Sequence, residues 1–437
     1  MEQKNNKKII RGWAMFDWAN SAYNLVITST IFPAYYTIIT TTKEHGDKVM
    51  FFGHKFVNTA LSTYALAVAY LVMALLLPIL SSTADYKGNK KTYMKGFTYM
   101  GGLACCGLFF FKLDTLESSV ILFALAAMGY IGGVLFNNSY LPEIATVDEQ
   151  DRVSARGFAY GYVGSVLLQI VCFVFVLKPE LFGITDGTLP ARLSFLLVGL
   201  WWIGFAQIPF AVLPKGNPNH GKINKNIVRG GFDELAKVWA QIREMKMLKR
   251  YLFAFFFYSM GVQTIMLVAA NFGEKILKLG AAKLIATILI IQIVAILGAY
   301  IMSVFAKKYG NIKVLIGVVI IWIGACLCAY FIQNEYQFYG LAAIVGLIMG
   351  GIQSLSRSTY SKFIPESTAD TTSFFSFYDV TEKIAIVIGL FSFGYIEEFT
   401  GNMRNSAVFL VVFFLAGLIL LLSMLRIKPI GSAKAVI

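Results

Sequence analysis

The chain has 437 residues, of which 57% are hydrophobic and only 14% charged, well below the roughly 25% charged residues usual in soluble domains. A formal net charge of +14 would suit a nucleic-acid partner, but Lys and Arg lie scattered between apolar stretches and build no continuous basic face, which argues against nucleic acid. The five cysteines, Cys105, Cys106, Cys172, Cys326 and Cys328, all fall inside apolar stretches and read as small hydrophobes, without a disulfide framework or zinc site.

In chain order, a polar start over 1–8 leads into an apolar span at 13–40 that carries Asp17 and Asn20 and no small-residue cleavage site. It reads as a retained membrane helix and not a signal peptide. Within it, WAMFDWANSAY at 13–23 begins a helical face of Asp17, Asn20, Ser21, Asn24 and Thr28. An ionised group at the bilayer centre costs roughly 2.5 to 3.5 kcal/mol on insertion scales, so that face is expected to meet a cavity or a partner. Further spans follow at 56–80, 92–111, 120–141, 155–177 and 191–213. Each is close to the roughly 20 residues that cross a ~30 Å hydrocarbon core at ~1.5 Å per residue.

The turn after the second span, SSTADYKGNKK at 81–91, sets Asp85 before a tight turn at Gly88 and the basic pair Lys90 and Lys91. A carboxylate so placed can accept from backbone amides at a nearby helix end, making the turn a candidate conformational latch, while the lysines hold it cytoplasmic. Asn137, near the end of the fourth span, joins the polar candidates. The fifth span opens on Gly157, Gly161 and Gly164, a close-packing face. Its spacing is similar to a glycine motif of drug exporters, with Tyr162 where that motif has proline.

The polar stretch 215–249 divides the chain into 1–214 and 250–437. In it Phe232, Leu235, Ala236, Trp239 and Ile242 recur at helical spacing, with Lys237, Arg243 and Lys246 off the stripe, the pattern of an interfacial amphipathic helix. Six more spans follow at 251–270, 282–305, 314–332, 338–360, 373–397 and 405–425. The turn after the eighth, SVFAKKYG at 303–310, keeps a turn glycine, Gly310, but has Lys307 where the first turn has an acid. A second latch is left without its carboxylate. In the tenth span Gln353, Ser356, Arg357 and Tyr360 share a face, beside a GxxxG surface at Gly346 and Gly350 suited to close helix approach. The eleventh brings Asp379, Glu382 and Lys383 to positions i, i+3 and i+4, where Asp379 and Lys383 can pair within the helix.

An even number of spans puts both ends on one side. Of the 38 Lys and Arg, 27 lie in or beside segments on that side and 10 on the other, with Lys383 inside the eleventh span. The bias predicts cytoplasmic termini, a cytoplasmic 215–249 linker and an external 41–55 loop.

The halves also echo one another: Pro142-Glu143 precedes GFAY at 157–160, and Pro365-Glu366 precedes SFYD at 376–379, as in duplicated transporter folds. WAMFDWANSAY, YLPE at 140–143, GFAYGYVG at 157–164, and GGIQSLSRSTYSKFIPE at 350–366 running into FFSFYDV at 374–380 resemble one branch of the major facilitator superfamily over nearly the whole chain. That branch holds bacterial facilitators related to the fungal vacuolar efflux permeases linked to autophagy. The resemblance implies an all-α membrane protein with twelve transmembrane helices in two pseudo-symmetric six-helix bundles, acting as a monomer on a small-molecule substrate. For the fungal members it implies amino-acid efflux.

The expected function is secondary active transport of a small solute by alternating access in the bacterial cytoplasmic (inner) membrane, as proton-coupled efflux of amino acids or related metabolites. Rival readings are an organic-anion or drug exporter and a non-transporting sensor. Substrate-binding or coupling candidates are Asp17, Asn20, Asn24, Asn137, Gln353, Arg357, Asp379, Glu382 and Lys383, with Asp85, Gly88, Lys90 and Lys91 in the latch. Asp17, Asp379 and Glu382 are the acids able to carry a proton, and they are expected to form one charged cluster with Arg357 and Lys383. His45, His54 and His220 fall in loops and no phosphate-binding loop occurs, so no metal, cofactor or enzyme chemistry is expected.

Overall fold

A computed structural model describes residues 4–42, 46–216 and 227–426; His45, His220 and the side chain of Phe232 lie outside that description. Helix α1 is Lys7–Ala22, continued through a π-helical stretch, Tyr23–Ile31, into Phe32–Thr40. The rest of the first half is α2 (Asn58–Lys87), α3 (Lys90–Gly107), α4 (Leu116–Asn138), α5 (Gln150–Leu177) and α6 (Leu189–Val212). After a linker helix, Ile227–Glu244, come α7 (Lys246–Leu277), α8 (Ala281–Tyr309), α9 (Asn311–Phe331), α10 (Glu335–Phe363), α11 (Thr371–Thr400) and α12 (Met403–Met424).

Every expected span is present, and several run well past their apolar cores. Helix α2 continues to Lys87, and within its last turns the hydroxyls of Ser81, Ser82 and Thr83 donate to carbonyls three or four residues back. The second span starts at Asn58 and not at 56, because 56–57 belong to an antiparallel hairpin of β1 (Lys48–Phe51) and β2 (His54–Val57). His54 is therefore a strand residue. The π-helical stretch was also unforeseen: Ser29 and Thr30 donate to carbonyls five residues back, Asn24 and Leu25, at 2.9 and 2.8 Å. Pro33, which has no N–H to give, follows directly.

Among the described residues nine helices are long and apolar enough to cross a membrane by length and composition alone. The other three are α1, broken by its π stretch, α3, opening on Lys90 and Lys91, and α11, with its three ionisable groups. Leu71, Leu75, Val304, Phe391 and Ile419 are exposed on the outer surface, as a lipid-facing surface requires. The protein is an integral membrane protein of the all-α class.

In the first bundle α1 packs on α5 and α6, α3 on α4 and α6, and α2 on α4. The second repeats these pairs with six added to each number: α7 on α11 and α12, α9 on α10 and α12, and α8 on α10. Between the bundles α2 meets α11, and α5 meets α8 and α10. The linker helix lies against α2 with Val238 and Ile242 buried. Trp239 stacks on Phe377 of α11 at 5.5 Å, and Lys237 pairs with Asp370 at 3.0 Å. The expected stripe is thus shifted, with Ala236 exposed and Val238 buried, because this helix packs against two other helices instead of a flat surface.

The GxxxG surface of α10 has the role its spacing predicts. A Cβ on Gly346 or Gly350 would run into the backbone carbonyls of Ile291 or Ala295 on α8. Gly350→Val should lower stability by about 1–3 kcal/mol, the usual cost of overpacking. Gly317→Val in α9, where a Cβ meets nothing within 4 Å, should leave the melting temperature of the detergent-solubilised protein unchanged. Equal melting temperatures for the two variants would contradict this packing.

Candidate functional site

Between the bundles lies a cavity of about 430 Å³, within the range of sites for small molecules. The polar face of α1 lines it as the periodicity predicts, with Asp17, Asn20, Ser21, Asn24 and Thr28 all on the wall. Gln353 also faces it and accepts from Tyr162 of α5, its Oε1 lying 2.5 Å from the phenol oxygen. At the end away from the linker, Ser29 and Asn271 line the cavity and are exposed. At the linker end the two bundles are joined by a seal of buried polar contacts.

Arg357 of α10 is the centre of that seal. Its Nη1 donates to Asp17 Oδ2 and Asn138 Oδ1, both at 3.0 Å, its Nε to Ser154 Oγ at 3.0 Å and its Nη2 to the Ser154 carbonyl at 2.8 Å. Its guanidinium also sits over the rings of Trp13 and Phe158, 4.7 and 4.2 Å from their centroids, a cation–π arrangement. All of these partners belong to the first bundle. Asn137 supports the site from behind: its Nδ2 donates to Asp17 Oδ1 at 3.3 Å, and its carbonyl accepts from Trp13 Nε1 at 2.7 Å. The close approach requires Gly157, because a Cβ there would meet both the Asp17 carboxylate and the Arg357 guanidinium. Gly161 and Gly164 face Ser21 and Trp18 of α1 in the same manner, so the glycine face of α5 packs on α1.

Asp85 reaches across from α2 to the N-terminus of α11. It accepts from the backbone N–H of Thr372 at 3.2 Å, the N–H of Ser373 at 2.6 Å and the Ser373 hydroxyl at 2.7 Å. A carboxylate at a helix N-terminus is favoured both by unpaired N–H groups and by the helix dipole. Gly88 ends α2 at φ 60° and lets the chain turn into α3. Lys90 then pairs with Glu143, which also accepts from Thr371 of α11 at 2.7 Å. Lys91 instead donates to the Leu213 carbonyl at 2.7 Å and ties α3 to the end of α6.

The equivalent corner of the second half is sealed by different residues from those the sequence led us to expect. Lys307, at 4.0 Å from Glu149, is peripheral. Asp151 on the first turn of α5 accepts instead from Lys362 Nζ at 2.6 Å and Asn311 Nδ2 at 2.7 Å. The two charged side chains are only 3% and 4% exposed.

The five charges expected as one cluster divide into two groups. Arg357 and Asp17 form one; on α11, Lys383 Nζ lies 2.7 Å from Glu382 and 3.6 Å from Asp379. Glu382 also accepts from Gln263 Nε2 at 2.8 Å. Both groups line the same cavity, but Arg357 has its donors engaged by the first bundle and makes no hydrogen bond to the α11 group.

The family model described as vacuole effluxer Atg22-like matches residues 5–429. The chain belongs to the Atg22-like family. The uncharacterized MFS-type transporter YxiO of Bacillus subtilis is 30% identical, over 94% of this chain and 93% of its own. Autophagy-related protein 22 of Eremothecium gossypii is 24% identical, over 93% and 89%. The solved proton:xylose symporter XylE is similar with a TM-score of 0.72, over 97% of this chain and 95% of its own, at 11% identity; that likeness carries the fold alone. This Atg22-like protein is a transporter of the major facilitator type, with twelve helices in two bundles.

Sequence reasoning missed Asp151, Lys362, Asn311, Ser154, Asn138 and Trp13. Asn138 stands beside Asn137, and Trp13 lies within the recognised motif, so proximity could have found both. Asp151 and Lys362 sit at helix ends outside the apolar spans, where charged residues are ordinary. Consider a variant without native cysteines but with one at Ser354, a buried position on α10 whose carbonyl accepts from Ser154. Asp151→Asn or Asp85→Asn should speed maleimide labelling from the linker side about tenfold, equivalent to ~1.4 kcal/mol in the opening equilibrium. Exchanging the charges, Asp151→Lys with Lys362→Asp, should restore the parent rate. Identical labelling in every variant would show that these contacts do not hold the linker end shut.

Proposed function

We propose that this transporter exports small zwitterionic solutes, amino acids or related metabolites, by alternating access across the bacterial cytoplasmic membrane, driven by protons. The observation that carries the reading is the interbundle cavity itself: it is sealed at one end by contacts that join the bundles and lined by carboxylates and an ammonium group on α11. Relative rotation of the bundles would break the seal at the linker end and close the opposite end. With the termini and linker in the cytoplasm, as the 27 to 10 basic asymmetry favours, the cavity opens outward in this conformation.

The substrate class follows from charge. Asp17 and Arg357 cancel, whereas Asp379, Glu382 and Lys383 leave one negative charge in excess. An amino acid could set its ammonium group against Glu382 and Asp379 and its carboxylate against Lys383, with Asn20, Asn24 and Gln353 offering neutral hydrogen bonds. Arg357, engaged in the seal, is left to gate the cavity. An organic anion fits this balance less well, and a sensor without transport would lack measurable flux.

Proteoliposomes loaded with a radiolabelled amino-acid mixture decide the matter. Efflux should accelerate when the external buffer is acidified and fall at least tenfold in Lys383→Met. Any component that binds should raise the thermal stability of the purified protein, by about 2.7 kcal/mol at 100 times its dissociation constant. Flux no faster than from empty liposomes, with folded protein incorporated, would sink the proposal.

A further inference from the structure

Three carboxylates line the cavity, and their hydrogen bonding is unequal. Asp17 has both oxygens engaged, Oδ1 by Asn137 and Oδ2 by Arg357. Glu382 likewise has Oε1 engaged by Gln263 and Oε2 by Lys383. Asp379 differs. Its Oδ1 lies 3.6 Å from Lys383 Nζ, beyond hydrogen-bond distance, and its Oδ2 is buried with no hydrogen-bond partner among the described residues. The residue is 3% exposed yet lines the cavity.

A buried carboxylate oxygen without a donor is costly, and the excess negative charge on α11 adds to that cost in hydrocarbon surroundings. The other titratable or charged groups acting on it are Tyr378, Glu382 and Lys383 on α11 and Tyr70 on α2; Tyr130 on α4 and Tyr258 on α7 act on Glu382 beside it, and Arg357 on α10 acts on Tyr378. The phenols can donate a hydrogen bond but bring no positive charge. Lys383 is held closer to Glu382 than to Asp379. Asp379 is thus the acid whose present surroundings leave room for one more positive charge.

We infer that Asp379 is the residue that binds the coupling proton, an assignment that rests on the proton-driven reading above. A proton from water in the cavity forms an O–H bond at Oδ2; the three groups on α11 then carry no net charge, with Lys383 paired to Glu382. Discharge of the proton on the other side of the membrane restores the excess charge. Asp17 is excluded from this task by its pairing with Arg357, and Glu382 by its two donors.

Infrared difference spectroscopy between acidic and alkaline buffer tests this on the purified full chain without any substrate. Acidification should produce the carbonyl stretch of a protonated, buried carboxyl group in the parent and in Asp17→Asn, and not in Asp379→Asn; in Glu382→Gln, where Asp379 is left alone with Lys383, the band should need a lower pH. Should Asp379→Asn fail to fold, Asp379→Glu serves instead, and the pH midpoint of the band should move. A band that survives in Asp379→Asn or keeps its midpoint in Asp379→Glu overturns the assignment. So does thermal stabilisation by sodium chloride over choline chloride that is lost in Asp379→Asn, since the site would then take Na⁺. In liposomes, Asp379→Asn should lose the acceleration of efflux by a pH gradient. The expected band without flux in the parent would uphold proton binding and overturn the transport reading instead.

Discussion

Arg357 carries a positive charge at the junction of two six-helix bundles, and its donors are engaged by the bundle opposite its own. A guanidinium cannot be left bare in a low-dielectric interior, because losing one partner of a buried pair typically costs about 3–5 kcal/mol. The bundles can therefore separate at this end only as water enters to replace the contacts. Opening and hydration become one event, and the cavity cannot drift open in a dry state. The neighbouring contacts of Asp85 and of Asp151 are buried as well and fall under the same condition.

The charges on α11 are placed differently. They are held within one helix and by Gln263 of the same bundle, so the motion that breaks the seal leaves their mutual contacts intact. The contacts that join the bundles and the excess charge of the cavity in this way belong to separate ionic groups. Asp17 belongs to the seal by its partners, although it shares the cavity wall with Asp379. The amide and hydroxyl groups of α1 add neutral polar groups to the same wall.

Much of the architecture could be read from periodicity and length. The twelve spans, the polar face of α1, the GxxxG contact of α10 and the turn at Gly88 follow from local chemistry that no tertiary context overrides. The approach of Asp85 to a helix N-terminus was legible as a type of contact, though not which helix would supply the amides. Long-range choices were not legible. Nothing in the spacing of Arg357 says that it will meet Asp17 and Ser154 and not Glu382, because that choice depends on how the bundles close. The hairpin at 48–57 was hidden for another reason: most of it falls in the segment 41–55 read as an external loop, and only Phe56 and Val57 looked like the start of a membrane helix.

The two pseudo-equivalent corners of the seal have opposite polarity. In one, the first bundle offers a carboxylate, Asp85, to bare amides at the start of α11; in the other, the start of α5 itself bears the acid, Asp151, and the second bundle answers with Lys362 and Asn311. Two copies of the first bundle placed face to face would bring carboxylate toward carboxylate. Two copies of the second would set a lysine against the positive end of a helix. At these corners the halves are complementary as plug and socket, each presenting what the other lacks.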